Sequence, residues 1–348
     1  MISFYKKCLF GFKYFFKYKV LPESLWNFFA SFVGSVKLSQ YRQIHKSYGS
    51  LHPHLTFYVI RRRPPAFGFF SNFHYVLQGI LYAEEHDFIP VVDMQNYWVS
   101  EYSYARKLNG TYNAWCYFFE QISKYTLDEV YKSKNVILSN GHSILNREHW
   151  YSDRKLLFSS EPQYLKIIYE IMNKYIKLNT ITLDNYENMK QKLNWAPNNT
   201  IGIFIRGTGY IENIGVNAVP PNLGDVIKNV RKILEKIPVD NLYISTEDYT
   251  LYVALCNEFK DKYIIPSIRY KEGLKIEEWK KSQNSKKYDG YIFQGYELTL
   301  KYLIEILLLS ECTFFVTTLS NASLFALAER SGNCKQSILI THGEAIDL

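Results

Sequence analysis

The sequence predicts an α/β chain of two parallel-sheet domains preceded by a helical arm. Three observations carry this. Short apolar runs alternate along most of the chain with stretches long enough for helices. Several of these runs end in Gly, Ser, Thr, Asn or Asp, the residues found where strands hand over to loops and helices. The chain has 348 residues, 47% hydrophobic and 21% charged, which is long for a single core and suits two domains of ordinary size. Regular strand–helix alternation argues for parallel sheets covered on both faces.

Taken in order, residues 1–55 read as an aromatic-basic helical arm. Residues 56–195 form a first α/β domain, with strands expected at Thr56–Ile60, Phe88–Val92 and Asn135–Leu138 and a helix running to Glu85. Helices are expected over Gln163–Leu178 and Leu183–Leu193, placed to bridge two domains. Trp195-Ala196-Pro197-Asn198-Asn199 marks the boundary, since Pro and Asn end helices and begin turns. Residues 196–348 form the second α/β domain. Its expected strands are Ile201–Ile205, Leu242–Ser245, Tyr263–Ile265, Phe314–Thr317 and Ser337–Ile340. Its expected helices lie near Leu223–Lys236, Thr250–Phe259, Leu298–Glu311 and Ser323–Arg330, and the polar stretch 267–295 reads as a loop that closes over ligand.

Composition narrows the function classes. A net charge of +8 suits an anionic ligand or a membrane surface, but no nucleic-acid motif or continuous basic helix accompanies it. The 30 Tyr and 23 Phe reflect a compositional bias shared by Lys, Asn and Ile, so they are no argument for sugar stacking. Cys8, Cys116, Cys256, Cys312 and Cys334 are scattered and lack metal or disulfide spacing, which fits a reducing compartment. In residues 1–20 lysines recur too often for a membrane span, but aromatics mixed with lysines suit a helix lying in a membrane interface. Arg61-Arg62-Arg63 reads as a solvated basic turn, and Glu84-Glu85-His86-Asp87 as a solvated helix end without metal-ligand spacing.

Two segments carry chemistry. In Ile201–Tyr210 an apolar strand runs into Arg206 and a glycine-rich turn, Gly207-Thr208-Gly209. Guanidinium binds two phosphate oxygens at once, and glycines let backbone N–H groups approach the same anion. In Thr317-Thr318-Leu319-Ser320-Asn321 a strand gives way to a helix. Helix N-termini bind anions, and in open α/β sheets ligands lie at the carboxyl ends of strands. Plain helix capping by Ser320 or Asn321 is the competing reading.

Together these motifs resemble the GT-B fucosyltransferases: the α1,6-fucosyltransferases, the protein O-fucosyltransferases and related bacterial surface-polysaccharide transferases. The resemblance covers roughly residues 65–335. It includes Asn72 in Phe67–His74, Ala114–Glu120, Leu242–Asp248, Glu305 and the 317–321 turn. It departs from the family's arginine motif at Phe204, Gly207 and Gly209.

The resemblance implies a GT-B-like fold, two Rossmann-like domains facing a cleft. It also implies inverting, metal-independent transfer of fucose from GDP-fucose, or of another nucleotide sugar, to a bacterial surface glycan or its lipid-linked precursor. On it, Asn72, Arg206, Gly207, Thr208, Glu247, Asp248, Glu305, Thr318, Ser320 and Asn321 bind the nucleotide sugar. Arg206 faces the β-phosphate and Glu305 the nucleoside. No Asp-x-Asp pair is present to hold a metal, and no cofactor is expected. Inverting transfer needs an acceptor base, for which Glu212 and Asp93 lead, with Glu120, His74 and His142 behind them. The implied location is cytoplasmic and peripheral on the inner membrane face. Two rival readings keep the fold with a different activated donor, or make the chain a non-catalytic subunit of a polysaccharide-assembly complex.

Overall fold

A computed structural model describes residues 43–62, 68–95, 107–139, 162–205, 222–246, 248–266, 292–331, 336–341 and 344–348. They form two sheets, four-stranded and six-stranded, with helices packed on and between them. This is the α/β class and the two-sheet division expected from the sequence.

The first sheet has the order β1 (Ile44–Lys46), β4 (Ser133–Leu138), β2 (Leu51–Ile60), β3 (Ile89–Val92). β2 pairs in parallel with β3 and β4, and β1 joins the β4 edge antiparallel. The helical arm expected to reach residue 55 is corrected here: 44–46 and 51–55 are strand. Leu51, Pro53, Leu55 and Phe57 alternate with His52, His54 and Thr56, a period of two that extends β2 backwards. The rest of the arm, residues 1–42, lies outside the described residues.

Between β2 and β3 runs α1 (Phe69–Glu85). Gly79 lets it settle on β2, since a Cβ there would meet the Ile60 side chain at 2.8 Å. Tyr58, Ile60 and Val92 pack on the α1 side, while Phe57, Val59 and Val91 face α2 (Leu127–Val130) on the other. The alternation of β-strand side chains thus separates two cores.

The second sheet has the order β10 (Glu344–Asp347), β9 (Ser337–Thr341), β8 (Phe314–Thr318), β5 (Thr200–Ile205), β6 (Asn241–Thr246), β7 (Tyr263–Ile265). β5 to β9 are parallel, and β10 returns as an antiparallel hairpin on β9. Chain order therefore reverses between β5 and β8, which is a doubly wound sheet with its switch point there. On one face Ile201, Ile203 and Ile205 pack against α5 (Leu223–Lys236) and α6 (Tyr249–Glu258). On the other, Phe204 and Tyr243 pack against α7 (Ile292–Glu311).

The halves are joined by a continuous apolar layer. Phe70 and Phe73 of α1 meet Phe325 of α8 (Asn321–Ser331) at ring separations of 5.3 and 5.0 Å. α3 (Pro162–Tyr175) packs on both α1 and α8. α4 (Thr180–Lys192) packs on α7, with Lys190 Nζ and Trp195 Nε1 each donating to Glu311 at 2.9 and 2.8 Å. These helices do bridge the two sheets.

Candidate functional site

The switch point between β5 and β8 is where a doubly wound sheet opens a crevice. β8 ends in Thr317 and Thr318, and α8 begins at Asn321. Between them a hydroxyl cluster is pinned in place. Ser320 Oγ accepts from the Ser323 amide at 3.1 Å and lies 2.8 Å from Ser323 Oγ. Thr317 Oγ1 donates to Ser323 Oγ at 3.0 Å, and Ser323 Oγ donates to the Thr318 carbonyl. Ser320 thus caps the helix, and the cap fixes the turn's backbone at the positive end of the α8 dipole. Ser323 was not singled out in the sequence. Its position three residues after Ser320, the capping spacing, is the signal that identifies it.

Two strands beyond β8 lies β6. Ser245, facing α7, donates to Glu305 Oε2 at 2.7 Å, and Glu305 is fully buried. Strand alternation puts Ser245 on the same face as Tyr243 and in register with Phe204, so the carboxylate sits beneath the carboxyl edge of the sheet. Asp248 caps α6, accepting from the amides of Thr250 and Leu251 at 2.8 and 3.2 Å. Asp248 is thus the N-cap of α6. Arg206, Gly207, Thr208, Glu212 and Glu247 lie outside the described residues, as do His142 and residues 267–291 of the expected loop. β5, which borders the switch point, is described to Ile205, the residue before Arg206 in the sequence.

The first sheet contributes from its own carboxyl edge. Asn72 is buried in the early turns of α1, and its Oδ1 accepts from Arg62 Nε at 3.0 Å. The Arg62 guanidinium also lies over the Tyr75 ring, 4.5 Å from its centroid. The solvated basic turn expected at 61–63 is corrected at its two described arginines. Arg62 is only 7% exposed, because it continues the Tyr58, Ile60 alternation beneath α1. Arg61 lies on the opposite face, and its Nε donates to the Ser139 carbonyl at 3.0 Å. Its amide donates to Ser139 Oγ at 2.8 Å. In the first sheet, therefore, the ends of β2 and β4 are tied together by the protein's own groups. In the second sheet β8 ends in the hydroxyls of Thr317 and Thr318.

Asp93, at the end of β3, is fully buried. Its Oδ1 accepts from the Gln95 amide at 3.0 Å and its Oδ2 from the Tyr131 hydroxyl. It shares the face of Val91, away from α1 and α8. Among the described residues, then, the structure gathers Thr318, Ser320 and Asn321 at one edge, with Glu305 beneath that sheet's edge. Asn72 is held within the first half by Arg62, and Asp93 stands apart.

One residue joins the two edges. His74 of α1 is 2% exposed and lies 2.8 Å, through Nε2, from the carbonyl oxygen of Asn321. A carbonyl only accepts, so Nε2 carries the proton. Burial holds the imidazole down to about 4, opposed by the Asn321 bond, so it is neutral at pH 7. Among the described residues no group of three or more His, Cys, Asp or Glu is placed to hold a metal ion, and no helix is long and apolar enough to cross a membrane.

No protein-family model matches the chain, and no curated protein matches it. Among solved structures, it is similar to the fucosyltransferase NodZ from Bradyrhizobium, with 14% identity and a TM-score of 0.47 over 85% of this chain and 99% of that one. It is also similar to a variant of FUT1 from Arabidopsis thaliana in complex with GDP, with 11% identity and a TM-score of 0.45 over 85% and 73% of the two chains. For POFUT1 in its apo form the values are 10% and 0.36, over 82% and 74%.

Proposed function

We propose that the chain is an inverting, metal-independent glycosyltransferase that transfers fucose from GDP-fucose to a bacterial surface glycan or its lipid-linked precursor. The observation that carries this reading is the hydroxyl turn Thr317–Ser323 at the switch point, beside the strand that leads into Arg206. A departing nucleoside diphosphate gains negative charge, and fixed dipoles together with a guanidinium meet it without a metal. Arg206, Gly207 and Thr208 take the diphosphate with Thr318, Ser320 and Asn321. Glu305, held by Ser245, takes the nucleoside side, with Glu247 and Asp248 at the β6 edge. Asn72 closes the site from α1. For the acceptor base we favour Glu212 over Asp93, whose two oxygens already accept from Tyr131 and Gln95. Residues 1–20, mixing aromatics and lysines, seat the enzyme on the inner face of the cytoplasmic membrane, where a lipid-linked acceptor is displayed.

Thermal stabilisation by GDP, UDP, CMP and ADP without metal tests this, with Arg206→Ala as control. A shift with GDP alone, abolished in the variant, is the expected result. A shift with another nucleotide replaces the donor. No shift in folded protein favours a non-catalytic subunit.

A further inference from the structure

We infer that His74 is a positioning residue: it holds the turn before α8, through the Asn321 carbonyl, in fixed register with helix α1 of the other half. This rests on the reading of that turn as the diphosphate site. Three observations point the same way. His74 is the point where a side chain of α1 bonds the backbone of the first α8 residue, at 2.8 Å. The bond is buried, so water does not compete for it. Its neighbours on α1, Phe70 and Phe73, pack on Phe325 one turn along α8, so the helix pair is fixed sideways by rings and lengthwise by the histidine.

The consequence is geometric. Ser320 and Ser323 set the internal shape of the turn, but their bonds would survive a sliding of α8 along α1. The His74 bond would not. Asn72 lies two residues before His74 on the same helix, so the bond also sets how far Asn72 stands from the diphosphate turn. A misplacement of about 1 Å in such a constellation costs on the order of 100-fold in rate.

Three variants separate positioning from packing. His74→Gln keeps an amide N–H near the Nε2 position, and His74→Phe keeps the ring and loses the donor. Should His74→Phe fail to fold, His74→Asn, whose shorter amide falls short of the carbonyl, takes its place. Two readouts are used: GDP affinity by calorimetry, and deuterium uptake of a peptide spanning 318–326 without ligand. The expected result is about tenfold weaker GDP binding and about tenfold faster uptake in the donor-less variant, both returned to within about twofold by His74→Gln. Wild-type uptake in the folded donor-less variant, or a His74→Gln no better than it, overturns the proposal. If the wild-type chain binds no GDP, the reading of the site falls, while the uptake arm still decides what His74 does.

Discussion

Arg330 offers a demanding test of how α8 is anchored. It is fully buried near the end of the helix. All five of its N–H groups have partners: Ser337 Oγ at 2.8 Å, and the carbonyls of Ser310 at 3.3 Å, Thr313 at 3.2 Å, Cys312 and Gln336. Ser310 and Cys312 lie at the carboxyl end of α7, where helix carbonyls lack partners and a cation is favoured. Burial holds the guanidinium down to about 10 from 12.5, so it stays charged at pH 7. Arg330→Met leaves four carbonyls without a donor, and at about 1 kcal/mol for each unsatisfied acceptor should cost about 4 kcal/mol. Arg330→Lys, two donors short, should lose about 3 kcal/mol. Urea unfolding followed by circular dichroism at pH 7 measures both. A loss under about 1 kcal/mol in Arg330→Met would show that water or a backbone shift satisfies those carbonyls, and would refute the anchoring argument.

His74 predicts acid sensitivity. Its folded value near 4 lies below the ordinary 6.5, so the unfolded chain binds the proton first as pH falls. Stability is then complete above pH 6.5 and declines between 6.5 and 4 by about 3 kcal/mol in total. Urea midpoints at several pH values should show that slope in the wild type and lose it in His74→Gln. Gly202→Ala should destabilise by about 1–2 kcal/mol, because the added Cβ meets Leu309 Cδ2 at 2.9 Å and Cys312 Sγ at 3.0 Å; an unchanged urea midpoint would show that the α7 seat yields. Glu311→Ala removes the acceptor of both Lys190 and Trp195 and should cost about 1–2 kcal/mol. Its thermal midpoint should fall further than that of Lys190→Ala, which leaves the Trp195 bond in place.

The strands most legible in the sequence are the continuously buried ones. Thr200–Ile205 is buried at every position, and such a run bounded by Pro and Asn announces itself. β1 and β10 were not legible. Ile44-His45-Lys46 and Glu344-Ala345-Ile346-Asp347 owe their form to pairing with β4 and β9, and that information is held by the partner strand. The same limit applies to charges. Arg62 reads as a solvated cation in the sequence and Arg330 as no more than a helix end, and only the fold reveals that strand parity puts one under α1 and that the α7–β8 turn closes around the other. Asp93 shows the reverse. A carboxylate at a strand end invites a catalytic reading, but which sheet face it occupies depends on a register that residues 91–93 alone do not disclose.

The two ends of α8 are held by different groups. At its carboxyl end Arg330 fastens it to α7 and to the start of β9. At its amino end Ser320 and Ser323 fix the turn, and His74 fixes the turn against the other half. These restraints oppose rotation of the helix, so its N–H groups are aimed before anything binds. Pre-aimed dipoles lose nothing to reorganisation when charge develops opposite them, and each restraint that removes motion from the empty site removes a cost from the occupied one. If the turn receives a diphosphate, loosening either end should weaken binding. Loosening the amino end should do so with the smaller loss of global stability, because one bond there sets register, while five at the other end hold the fold.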